Sequence, residues 1–203
     1  MKTLLLALLV IPLLLVGACG PSLVAVPLPE LDEVIEALGY GLAPTHLPEG
    51  FEFVRYDVLG EGKPLTNVVY QRFKDYANHN ILILYPQSFS LSGEGNFLFE
   101  SLGLDWQRPD DAVSEVKVNG ETAYLVRGSW SEQTIVELGR LNPETLAEFT
   151  PEWDYDMYLS LHFDFELSPD EVVGVMIRAM LYPSEWITEK EMVKIAESIR
   201  RID

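Results

Sequence analysis

Cysteine is almost missing from this sequence. Of 203 residues only Cys19 is one. No disulfide within the chain can staple the fold, so stability has to come from a buried core. Histidine is nearly as scarce: His46, His79 and His162 stand far apart, and no cysteine–histidine spacing of a zinc site occurs. Basic residues are few. Fourteen Lys and Arg face 32 Asp and Glu, for a formal net charge of −18. A surface of that sign repels the phosphate backbone, which excludes nucleic acid as a partner, and it repels anionic lipid headgroups too. It favours solubility and cationic partners, divalent ions included. Familiar catalytic signatures are also lacking. There is no GxSxG elbow. Gly93-Glu94-Gly95 is not followed by the rest of a phosphate loop, and Asp154-Tyr155-Asp156 lacks the glycine and distal glutamate of an EF-hand.

What the chain does have begins at its first residues. Lys2 supplies one positive charge, Thr3 to Val16 is almost wholly apolar, and Val16, Gly17 and Ala18 are small or modest in size. That is the layout of a secretory signal peptide. The run is short for a spanning helix, which needs roughly 20 apolar residues. Pro12 interrupts it, and Gly17, Gly20 and Pro21 break any continuation.

Val16-Gly17-Ala18-Cys19 resembles the lipobox of bacterial lipoproteins. Valine at its first position, where leucine is usual, is a mild departure. The resemblance implies cleavage before Cys19 and acylation of its thiol. Two or more acyl chains, at about 0.8 kcal/mol per buried methylene, anchor a protein stably where one does not. The competing readings are an incidental cysteine in an ordinary secreted protein, or an uncut leader that serves as the anchor. Each of the three exports the domain. The organisation expected is a signal peptide over residues 1–18, a tether over 19–28 and one domain over 29–203. Apolar residues at 48% and aromatics at 11% suit a domain with a sizeable core.

Local patterns give the elements. Pro29 opens a helix in which Leu31, Val34, Ile35 and Leu38 form one apolar stripe, and Gly39 caps it. Strands are expected near Phe51 to Leu59, Asn67 to Phe73 and Asn80 to Tyr85, with a turn over Asp75 to His79. Gln87 to Asp111 reads as loop. Asn119-Gly120, between Val113–Val118 and Thr122–Arg127, is a hairpin signal because both turn residues must take positive φ. Ser129 to Pro151 reads as less regular, with a short helix around Pro143 to Phe149. Tyr155 to Leu167 and Val172 to Tyr182 are strands around the turn Ser168 to Glu171. Thr188 to Arg201 reads as a closing helix. Thr188 is its cap, Glu191 a capping-box partner, and Met192, Ile195, Ala196 and Ile199 its apolar face. Strands in the middle and helices at both ends predict an α+β domain, an antiparallel sheet with helices packed on one side.

Several of these pieces together resemble the family called domain of unknown function 4367, found in bacterial extracytoplasmic proteins and envelope-linked regulators. The residues that carry the likeness are Leu47-Pro48-Glu49-Gly50-Phe51, Val116-Lys117-Val118-Asn119-Gly120 with Ala123-Tyr124-Leu125, and the closing segment Ile187 to Ile199. Ser129 to Pro151 is longer than the family pattern. The resemblance implies binding or sensing, by analogy of fold, and brings no catalytic residues with it.

One strand offers a site. Alternation puts Tyr158, Ser160, His162, Asp164 and Glu166 on one face, opposite Met157, Leu159, Leu161, Phe163, Phe165 and Leu167. His162, Asp164 and Glu166 are candidate ligands for a divalent ion. Steps of about 6.6 Å between them are too long for one ion without further ligands, and the plain alternative is the wet face of a half-buried strand. Trp106, Trp130, Trp153 and Trp186 are candidates for a sugar or peptide groove, or simply core and rim residues. The expected role is a lipid-anchored extracytoplasmic binding or sensing domain. It would need no cofactor. Its partners would be the membrane, through Cys19, and a protein or small-molecule ligand. The alternatives are a hydrolase of cell-wall or surface polymers and a structural surface protein.

Overall fold

The computed structural model describes residues 28–59, 68–86, 106–140, 143–180 and 182–203. The leader, Cys19, most of the tether and residues 87–105 of the expected loop lie outside them.

A seven-stranded antiparallel sheet dominates the fold. Its strands are β2 (Glu52–Leu59), β3 (Val68–Lys74), β4 (Asn80–Tyr85), β5 (Val113–Val118), β6 (Glu121–Trp130), β7 (Trp153–Ser168) and β8 (Glu171–Met180). They lie in the order β2-β3-β4-β8-β7-β6-β5, and every neighbouring pair is antiparallel. Asn119 and Gly120 take φ of 52° and 90° in the β5–β6 hairpin, as a tight turn between right-twisted strands requires. A separate two-stranded ribbon pairs β1 (Gly41–Pro44) with β9 (Ile199–Ile202). Among the described residues there are four α-helices: α1 (Leu28–Leu38), α2 (Glu132–Gly139), α3 (Pro143–Glu148) and α4 (Glu189–Glu197). No helix among the described residues is long and apolar enough to cross a membrane.

Helix signals worked locally. Gly39 follows α1 at φ 81° and its N–H bonds the Ile35 carbonyl at 2.7 Å, a left-handed stop that glycine adopts without strain. Thr188 Oγ1 accepts the Glu191 N–H at 3.2 Å and starts α4. The reciprocal half of the expected capping box is replaced. Glu191 turns its carboxylate to His46 and Lys194 instead. The closing helix also stops short of Arg201. Ser198 caps it, with its own Oγ donating to the Ile195 carbonyl at 2.7 Å. The next four residues then leave as β9. Its partner β1 was not apparent from the sequence, and α2 replaces part of the segment expected to be irregular.

The core forms where alternating side chains converge. Phe73, Ile81, Ile83, Leu125, Leu159, Leu161, Phe163, Val175 and Ile177 come from one face of the sheet. The same cluster takes in Val34 of α1, Leu42 of β1 and Met192, Ile195 and Ala196 of α4. Ile199 is buried with them, from a strand and not from a helix. Tyr85 fastens the ribbon to the sheet, its buried hydroxyl accepting the Leu42 N–H at 3.0 Å.

The sheet centre is buried on its other face as well. Leu82 is 4% exposed, between two fully buried isoleucines. Met176 is 6% and Ser160 4% exposed, each again between buried neighbours of the first face. Strands buried on both faces lose strict apolar–polar alternation, as the runs NILILY and VVGVMI do.

Candidate functional site

The expected wet face of β7 is therefore only partly wet. Asp164 and Glu166 are exposed, whereas Tyr158 and His162 are half-buried and Ser160 is buried. The structure keeps the three candidate metal ligands on one face of one strand. Among the described residues no three His, Cys, Asp or Glu side chains come together as ion ligands. The charges around His162 are positive. Burial, then Arg178, then Arg108 push its imidazole well down, to about 3, so it stays neutral at physiological pH. A neutral imidazole suits a metal, but adjacent guanidinium groups repel one.

The same face holds a feature that strand alternation could not disclose. Arg55 of β2 stands directly opposite Arg72 of β3. Arg72 is opposite Leu82 of β4, Leu82 opposite Arg178 of β8, and Arg178 opposite Ser160 of β7. Three arginines thus share one row across the sheet. A β-bulge between Phe53 and Arg55 makes this possible. Phe53 lies opposite core residue Phe73. Strict alternation would put Arg55 on that same face. The extra residue re-aims Arg55 beside Arg72 and returns Tyr56 to the core side.

Arg178 is held firmly. Its Nε donates to Ser160 Oγ at 3.2 Å and its Nη2 to Met176 Sδ at 3.4 Å. Its guanidinium carbon lies 5.0 Å from the centre of the Tyr158 ring, within cation–π range. The strands beneath are the central, doubly buried ones, so the group is fixed on rigid backbone. Arg108 is half-buried nearby, and burial lowers its own pKa.

Other clusters resolve as structural. His46, Glu191 and Ser198 meet near the ribbon, a grouping with the composition of a hydrolytic triad. The Ser198 hydroxyl, however, donates to the Ile195 carbonyl and accepts the His46 backbone N–H at 3.0 Å. Ser198 is buried, so it is not presented as a nucleophile. His79 bonds Asp75 at 2.8 Å and stacks on Trp186 with centroids 4.7 Å apart, and Trp186 stacks in turn on Phe51. Partial burial acts to raise the Asp75 and Glu191 carboxyls. The hydrogen bonds from His79, and from His46 and Lys194, outweigh it and hold both below the usual range. Three of the four candidate tryptophans do gather: Trp130 lies 5.9 Å from Trp106 and 5.2 Å from Trp153, with Phe149 5.9 Å from Trp106. Trp186 is apart from them, and Trp153 Nε1 is spent on the Arg127 carbonyl. A hollow of about 250 Å³ sits between Tyr158, Leu159, Pro183 and Ile187, rimmed by the Arg127–Glu189 ion pair. It is smaller than the roughly 300–1,000 Å³ usual for ligand pockets.

Arg55, Arg72, Arg108 and Arg178 are the residues missed from the sequence. One signal was present: a single arginine inside the apolar strand VVGVMIRAM, where no solvated face explains it.

No family model matches this chain, and neither a curated protein nor a solved structure is significantly similar to it.

Proposed function

We propose that this chain is a lipid-anchored extracytoplasmic domain that binds a ligand on the second face of its sheet and does no chemistry on it. The observation that carries the binding role is the arginine row. An acidic chain lines up three positive side chains across its sheet, Arg178 on a central strand and Arg55 and Arg72 toward one edge, and uses a bulge to bring Arg55 into line. The nearby groups are a neutral histidine, an engaged serine and a methionine, which supply no nucleophile with a base at hand. Among the described residues, the one grouping of triad composition has its hydroxyl tied to backbone. The export and anchoring half of the reading rests on the apolar leader ending at Val16-Gly17-Ala18-Cys19. In this reading α1 and α4 pack on the side of the sheet opposite the arginines, as their membership in the common core supports.

Fatty-acid labelling of cells that make the protein tests the anchor. The wild type is expected to take up label at Cys19 and to stay with the membrane fraction. Cys19→Ala is expected to lose both the label and the retention. Undiminished labelling of that variant contradicts the reading.

A further inference from the structure

We infer that this protein pairs with a second copy of itself, edge to edge through β5, so that the sheet continues across a two-fold axis at Val116. The inference stands apart from the ligand reading of the arginine face.

The sheet ends at β2 on one side and β5 on the other. An open edge offers backbone groups to another strand, and proteins blunt such edges with bulges and charges. β2 carries its bulge between Phe53 and Arg55. β5 has none: it runs in unbroken register with β6, from Val113 opposite Val126 to Val118 opposite Glu121. The two-residue turn at Asn119-Gly120 makes Val118 and Glu121 a hydrogen-bonded pair. Bonded and non-bonded pairs alternate along an antiparallel ladder, so Val116 and Ser114 also bond to β6. Glu115 and Lys117 then aim their N–H and C=O groups away from it. Val113 follows the same phase, since its N–H turns back to the Asp110 carbonyl and not to β6. Among the described residues only β6 pairs with β5, and Glu115 and Lys117 are exposed.

A second β5 must set outward-bonding residues opposite outward-bonding residues. Centring the pair on Glu115 or on Lys117 puts like charges face to face, which destabilises it. Centring on Ser114 calls on Val113, whose N–H is already taken. Centring on Val116 places Glu115 opposite Lys117 of the second copy, and Lys117 opposite Glu115 of the second copy. Each of these pairs exchanges two backbone hydrogen bonds and matches opposite charges. Lys117 Nζ already donates to Thr122 Oγ1 at 2.8 Å. An ammonium has three donors, so both contacts coexist. On the other face Val116 meets Val116. This side chain is half-buried against the core, beside α4, which lies on β5. Pairing covers apolar surface that a single copy leaves in water. A lysine on an edge usually blunts it; with Glu115 two residues away, the edge becomes complementary to itself. The net charge of −18 makes two copies repel at a distance. Association therefore depends on this local match, which selects one register.

Analytical ultracentrifugation of the purified protein tests the pairing over a concentration series. Monomers are expected to pass to dimers below millimolar concentration. Glu115→Lys and Lys117→Glu each place like charges opposite one another twice in the dimer, and each should weaken association about tenfold or more. Mixed, the two variants match again and should form a heterodimer. The double variant Glu115→Lys with Lys117→Glu should pair as wild type does. The mixture and the double variant carry the same substitutions, so a folding defect cannot imitate the restored pairing. In the native envelope a carbodiimide, which joins a carboxylate to an amine, should link Glu115 to Lys117 of the second copy. A wild type that stays monomeric at millimolar concentration overturns the inference. So does a dimer that either single variant leaves intact, or a mixture of the two variants that stays monomeric. A link from Lys117 to a different protein also overturns it, and gives the β5 edge to a strand of that protein.

Discussion

Ile195→Ala is expected to cost about 2–5 kcal/mol of folding stability, the range for truncating a buried aliphatic side chain. Ile195 is 0% exposed and lies in one cluster with Leu161, Phe163 and Ile177 of the sheet. The site has little room to collapse, because Met192 and Ala196 beside it are equally enclosed. Phe163→Ala should fall in a similar range of about 3–5 kcal/mol. A typical domain is held by only about 5–15 kcal/mol, and no disulfide compensates here. Urea unfolding at neutral pH measures both. A loss below about 0.5 kcal/mol, the size of an ordinary surface change, would contradict the core described.

The second large effect is in pH. The folded imidazole of His162 titrates near 3 because it is buried beside Arg178 and Arg108, whereas in an unfolded chain a histidine titrates near 6.5. Between these values the unfolded state binds a proton that the folded state refuses. Stability is therefore fully present above about pH 6.5 and declines as pH falls toward 3. Between pH 7 and pH 5 the loss from this one group is about 2 kcal/mol. His162→Gln cannot take up that proton. The stability difference between wild type and variant, measured by urea unfolding across that window, should shrink or reverse in the variant's favour as pH falls. Asp75 and Glu191, whose folded carboxyls are depressed, contribute stability that is lost only in the lower range where carboxylates titrate, and they are common to both proteins. A pH-independent difference would place His162 in solvent, as strand alternation alone had suggested.

The contrast between those two predictions marks what the sequence made legible. The face of β7 that carries Leu159, Leu161 and Phe163, and the stripe Met192, Ile195, Ala196, were readable because apolar periodicity is a local property. So were the Asn119-Gly120 turn and the Thr188 cap, each fixed by backbone geometry within four residues. The ribbon of β1 and β9 was not readable. Each strand has four residues, too few for a periodic signal, and Arg200 and Arg201 resemble a basic helix end. Their pairing joins residues at opposite ends of the domain. The arginine row was hidden for another reason. Arg55 enters it through a bulge that breaks the phase of EFVRYDVL, and alternation is valid only while phase is kept. The setting of His162 was hidden because Arg178 and Arg108 are supplied by other segments. The leader and Cys19 were legible as a motif and lie outside the described residues.

The central claim is that the arginine face is occupied where the protein works. Arginine-directed labelling with a dicarbonyl reagent tests it most directly, comparing the protein in its native envelope with the purified protein and reading each site by peptide mass spectrometry. Arg127 and Arg140, on other parts of the surface, serve as internal references. Arg72 and Arg178 are expected to be modified less in the envelope than after purification, while the references react equally in both. Equal reactivity of all four arginines in the two preparations would contradict it.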